Sequence, residues 1–135
     1  MRYLLPLIMI LGGCSQQAAD QTLATGTFVG EGRDRLCIAG EPGSYRAGLI
    51  AYGKGDTNCT ASGSVDAQGG QMALVPRGET SCRIPLTVDG NSVRIGEAPA
   101  ACSYYCGPGA NLSGKAYIRS DTGSKAVDLV GDPLC

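Results

Sequence analysis

The alternation of apolar and polar positions is clearest at Cys82-Arg-Ile-Pro-Leu-Thr-Val88, where Cys82, Ile84, Leu86 and Val88 share one face and Arg83, Pro85 and Thr87 the other. A strict period of two predicts a half-buried strand. Asp89-Gly90-Asn91 supplies a turn, and Ser92-Val-Arg-Ile-Gly96 resumes the alternation with Val93 and Ile95 inward, so the two runs predict a hairpin. Pro85 has no amide proton, which puts its strand at an edge or a bulge. The same grammar recurs along the chain. Tyr45 to Tyr52 and Asn58 to Val65 flank a Gly-Lys-Gly-Asp-Thr turn, and Gln71 to Val75 follows Asp66-Ala-Gln-Gly-Gly70. Lys115 to Arg119 and Ala126 to Val130 flank Asp121-Thr-Gly-Ser124, Thr27 to Glu31 opens the series, and Arg35 to Ile38 adds a short strand.

Turn chemistry about every 8–12 residues, with no sustained helical periodicity, predicts an all-β fold. The expected architecture is a small antiparallel meander of about eight short strands, closed or partly closed into a barrel, with a β-sandwich as the alternative. Closure would pair the first strand with the last and remove exposed edges. One segment, Ala98 to Leu112, breaks the alternation and holds Cys102, Cys106, the adjacent Tyr104 and Tyr105, and a Gly-Pro-Gly turn. Two readings stand for it: a crossover tied down by its cysteines, or a binding loop in which Tyr104 and Tyr105 offer large contact area at low entropic cost. Arg33-Asp34-Arg35 reads as a solvated turn.

Composition narrows the chemistry. The 135 residues carry 11 Lys+Arg against 12 Asp+Glu, no His and no Trp. That balance speaks against a nucleic-acid partner, which needs a basic stripe. Without His there is no imidazole acid–base pair and no His-ligated metal. Serines occur without a nucleophile elbow or a Ser-x-x-Lys, and the carboxylates fall mainly in turns, so no catalytic group, cofactor or metal is assigned.

The N-terminus has the layout of an export signal: Met1-Arg2-Tyr3, an apolar run from Leu4 to Leu11, two glycines, then Cys14. Leu11-Gly12-Gly13-Cys14 resembles the lipobox of bacterial lipoproteins. The resemblance implies a signal peptide over 1–13, cleavage before Cys14, and acylation of Cys14, whose chains anchor the protein to a membrane. Residues 14–26 then read as the lipidated cysteine and a flexible tether, and residues 27–135 as one β domain. Ser15, in place of Asp, leans by resemblance toward the outer membrane, with the domain in the periplasm.

With Cys14 given to lipid, Cys37, Cys59, Cys82, Cys102, Cys106 and Cys135 remain, an even number that predicts a disulfide framework in an exported chain. Fifteen connectivities are open; the expected one is Cys37–Cys59, Cys82–Cys102 and Cys106–Cys135. The rival is a zinc site in which Cys102 and Cys106, four apart, join Cys82 and Cys135.

These features point to a non-catalytic envelope lipoprotein whose β domain binds a partner or serves a structural role. A second reading is an inhibitor of a hydrolase. Cys59-Thr-Ala-Ser-Gly63 resembles the Ser-Gly loop by which lysozyme-inhibiting lipoproteins enter the enzyme's cleft, although the chain lacks that family's Trp and carries additional cysteines. A third is a barrel carrying a small apolar ligand inside.

Overall fold

The computed structural model describes residues 21–67, 71–78 and 81–135. Eight strands run in chain order: β1 (Gly26–Val29), β2 (Arg35–Ala39), β3 (Arg46–Tyr52), β4 (Asn58–Asp66), β5 (Met72–Pro76), β6 (Ile84–Asp89), β7 (Ser92–Ile95) and β8 (Ala116–Arg119). Each pairs antiparallel with the next, and β8 returns to β1 through Phe28 opposite Arg119 and Val29 opposite Ile118, closing a barrel. The meander and its closure are therefore as the alternation predicts, and the sandwich is not formed. Closure also settles Pro85: β6 lies between β5 and β7, so there is no edge. The Pro85 carbonyl accepts from Gly96 N (2.9 Å), one residue beyond β7. Its missing N–H thus falls where the ladder ends and costs nothing.

Alternation sends Phe28, Leu36, Leu49, Leu74, Ile84 and Tyr117 into the interior, all fully buried. Eight strands enclose a space just wide enough for such side chains. Among the described residues, these side chains occupy the barrel interior. At the end bearing the 40–45 turn, Leu23 inserts and its N–H donates to the buried Tyr45 hydroxyl (3.0 Å). Leu23 therefore belongs to the folded domain and not to the expected tether; as the one large apolar side chain of residues 14–26, it gains most by entering the barrel mouth. Residues 1–20, including Cys14 and Ser15, lie outside the described residues.

The opposite end is covered by the segment that breaks the alternation. It forms a 3₁₀ helix, Ala100–Tyr105, tied by Cys82–Cys102 and Cys59–Cys106. The third bridge, Cys37–Cys135, fixes the C-terminus to the outer wall. Cys82–Cys102 is as expected, whereas Cys37–Cys59 and Cys106–Cys135 are not formed. Alternation is the reason: Cys37 lies between the inward Leu36 and Ile38 and so faces outward, whereas Cys59 faces into the core. Every cysteine of the zinc reading is consumed in a disulfide. Three disulfides are consistent with an extracytoplasmic location.

Ala126–Val130 is not a strand. Only an isolated bridge, Val127 opposite Pro133, survives there. The C-terminal residues instead lie against the outside of β2, β3 and β4, where Leu134 packs with Cys37 and Ile50 in a second small apolar cluster. Gly48 makes this possible, since a Cβ there would lie 2.2 Å from the Leu134 carbonyl oxygen.

Candidate functional site

Ala126 to Cys135 form a turn built on one carboxylate. Asp128 Oδ1 accepts from the backbone N–H of Val130 (3.0 Å) and of Asp132 (2.8 Å). Asp128 N donates to Asp132 O (2.8 Å), and Gly131 N to Asp128 O (3.1 Å). A side chain that satisfies its own backbone in this way competes with strand pairing, which explains why the alternation around Val127 does not yield a strand. Gly131, at φ +93°, takes a conformation that L side chains rarely adopt. The base of the turn is held three ways: Leu134 N donates to Ala126 O (3.1 Å), Ser62 Oγ donates to Leu134 O (2.7 Å), and Cys135 is bonded to Cys37.

At the tip of this braced turn stand Leu129, 50% exposed, and Val130, 79% exposed. Water contact with two adjacent large aliphatic side chains is unfavourable, and the hydrogen bonds below them hold them there. Geometry fixed before binding lowers the entropic cost of docking into an apolar cleft. The signal in the sequence was the turn chemistry of Asp128-Leu-Val-Gly-Asp132-Pro133, which outranks the alternation.

Of the two tyrosines in the crossover, Tyr104 is 84% exposed, whereas Tyr105 is partly buried against the core. Their rings meet edge to face at 5.2 Å. The structure thus divides the pair: Tyr105 supports the loop, and Tyr104 is offered outward from a segment pinned by two disulfides. Cys59-Thr-Ala-Ser-Gly63 is not a loop. It lies within β4, with Ser62 facing the C-terminal residues, so the likeness to a cleft-entering Ser-Gly loop does not carry to those positions.

Asp34 overturns the solvated-turn expectation, being only 3% exposed. Its Oδ1 accepts from Tyr52 N (2.8 Å), and its Oδ2 lies 3.8 Å from Lys115 Nζ. The ring of Tyr117 lies close by, at a spot only glycine leaves open: a Cβ on Gly30 would meet both Tyr117 and Asp34 at 2.9 Å. Burial, and secondarily the Asp34 charge, push the Tyr117 phenol well above its ordinary pKa, so it stays protonated and donates to Ile50 O (3.3 Å). Beside this knot Arg33 stacks over the Tyr52 ring at 3.9 Å and pairs with Asp56 (3.0 Å). Asp34, Lys115 and Tyr117 join β2, β3 and β8 at the disulfide-covered end, and each polar atom already has a partner inside the fold.

Comparison with family models, with curated proteins and with solved structures finds no match to this chain.

Proposed function

We propose that this protein is a bacterial envelope lipoprotein, anchored by acyl chains on Cys14, whose non-catalytic barrel presents its C-terminal turn to a protein partner bearing an apolar cleft. The membrane side of the reading rests on Leu11-Gly12-Gly13-Cys14 and the apolar run before it; the outer membrane, with the domain in the periplasm, is its finer form. The binding side rests on one observation, the exposed Leu129–Val130 tip on a turn locked by Asp128 and bonded at its base to β2. Exposed apolar side chains on a rigid support leave water at low entropic cost when a partner's apolar cleft covers them.

The test compares the full-length protein with a Leu129→Ser, Val130→Ser variant in capture from detergent-solubilised envelope. The side chains are exposed, so the variant keeps the wild-type unfolding midpoint. A partner held by the wild type and released by the variant supports the reading; identical capture by both refutes it. Intact mass decides the anchor separately, since a chain beginning at Cys14 without acyl groups removes it. The hydrolase-inhibitor reading is a special case that the projecting tip favours, because a small rigid protein blocks a cleft by filling it. Loss of lysozyme activity on mixing, restored by the same variant, is its expected outcome.

A further inference from the structure

The outer wall of the barrel carries a groove of about 660 Å³ bordered by the 43–46 turn, the C-terminal half of β4 and the end of β5. Two guanidinium groups line it, Arg46 and Arg77, together with Ser44 and Ser64. Among the described residues the four ion pairs use Arg33, Arg83, Lys115 and Arg119, and no side-chain hydrogen bond involves Arg46 or Arg77. Asp66, the nearest acid along β4, is paired with Arg83. Glu41 is not among the residues that line the groove. Two unpaired cations therefore share one concavity on a chain whose overall balance is slightly acidic.

Strand register places them on one face of the wall. Arg46 lies opposite Ser64, and Ser64 opposite Val75, all on the outward face. Arg77 follows Val75 by two, and its N–H donates to Ser62 O (3.0 Å), so it continues that face. Two strand spacings across and one pleat along put the two Cα atoms about 12 Å apart. Extended arginine side chains bridge such a gap from opposite sides. Donors arriving from both walls, with a serine hydroxyl between them, suit a tetrahedral anion with oxygens on every side better than a planar carboxylate.

We propose that the Arg46–Arg77 groove binds a phosphate group. Its source follows from where the chain enters the barrel. Leu23 is buried with its N–H on the Tyr45 hydroxyl, next to Arg46. Nine residues separate Leu23 from Cys14, a span of at most about 30 Å. If Cys14 is acylated, the groove is held within reach of lipid headgroups; this orientation, unlike the phosphate site itself, rests on the anchor reading above. Anionic headgroups attract arginines placed near the bilayer surface.

The experiment uses isotope-labelled full-length protein in zwitterionic detergent micelles and follows the amide signals of Ser44, Arg46, Ser64 and Arg77. Three additions are made separately: phosphatidylglycerol incorporated in the micelles, glycerol phosphate, and acetate. Saturable shifts at these four amides with phosphatidylglycerol, and at least tenfold weaker binding by an Arg46→Gln, Arg77→Gln variant, are expected. Arg94→Gln, which removes a cation on β7 outside the groove, leaves the affinity unchanged. Shifts with glycerol phosphate as strong as those with the lipid assign the site to a soluble phosphate, and shifts with the lipid alone assign it to the membrane. No saturable shift with either phosphate, an equal response to acetate, or an equal loss in Arg94→Gln overturns the proposal. Acyl groups on Cys14 are read from the intact mass of the same sample. A protein that binds glycerol phosphate but carries no acyl chain keeps the site and loses the anchor.

Discussion

Replacing both Cys37 and Cys135 by Ala removes the outermost of three nested cross-links. The bridges span sequence separations of 98, 47 and 20, each enclosed by the one before. Taken alone, closing the longest loop restricts the unfolded chain by about 4.7 kcal/mol. That figure overstates the case, because Cys59–Cys106 already short-circuits the path and leaves an effective loop of about 50 residues, worth about 4 kcal/mol. With a urea dependence of about 1–3 kcal/mol per molar, the unfolding midpoint should fall by about 1–4 M. The chain has no Trp, so far-ultraviolet circular dichroism and tyrosine emission follow the transition. Amide exchange at Leu134, whose N–H is bonded to Ala126 O, reports whether the C-terminal turn stays docked. A stability loss below about 1 kcal/mol, accompanied by free exchange at Leu134, would refute the reasoning. The outer bridge would then be a local strap on a barrel that the two inner bridges already hold.

Two further perturbations address the polar knot. Asp34→Ala takes the acceptor from Tyr52 N and the counter-charge from Lys115, and should cost about 2–3 kcal/mol, against about 1 kcal/mol for Asp34→Asn, which keeps an acceptor; equal midpoints in urea would show that the knot does not bear on stability. Tyr117 is held protonated in the fold by burial and by Asp34, so its pKa is raised relative to the unfolded chain, and its contribution is complete below about pH 10 and lost as pH rises further. Above that pH the wild type should lose about 1.4 kcal/mol per pH unit more than Tyr117→Phe in matched urea titrations, and parallel curves would contradict this.

Much of the fold can be read in the chain because the barrel is built from the most local of signals. Ile84, Leu86, Val93 and Ile95 alternate on either side of Asp89-Gly90-Asn91, and the β6–β7 hairpin follows from that spacing alone. The disulfide pairing was in part legible too. Leu36-Cys37-Ile38 puts the cysteine on the face opposite its neighbours, so a bond to the inward Cys59 demands that one of them point the wrong way. Facing decides against that pair. Asp34 could not be read in this way. It sits between two arginines, and only the meeting of β2, β3 and β8 at one end of the barrel buries it. The Leu129–Val130 tip was hidden by a conflict of periods, since Val127 and Leu129 alternate like a strand while Asp128 writes a turn.

Closure of the barrel constrains how the protein can recognise anything. A sheet with a free edge can take a partner's strand by backbone pairing, but here β1 and β8 complete each other, and among the described residues no strand edge is left to extend. Phe28, Tyr117 and the aliphatic residues around them occupy the interior. Recognition is left to side chains that stand off the outer wall or the two ends. Leu23 enters at the end of the 40–45 turn, while Tyr104 stands at the opposite end, where the 3₁₀ helix crosses. Under the anchor reading this polarity turns the Arg46–Arg77 groove toward the lipid and Tyr104 away from it. The C-terminal turn, bonded to the side wall through Cys37, is then free to engage a neighbour in the plane between. Loss of partner capture in the Leu129→Ser, Val130→Ser variant, with phosphate binding at the groove intact, would separate the two surfaces and assign each its own ligand.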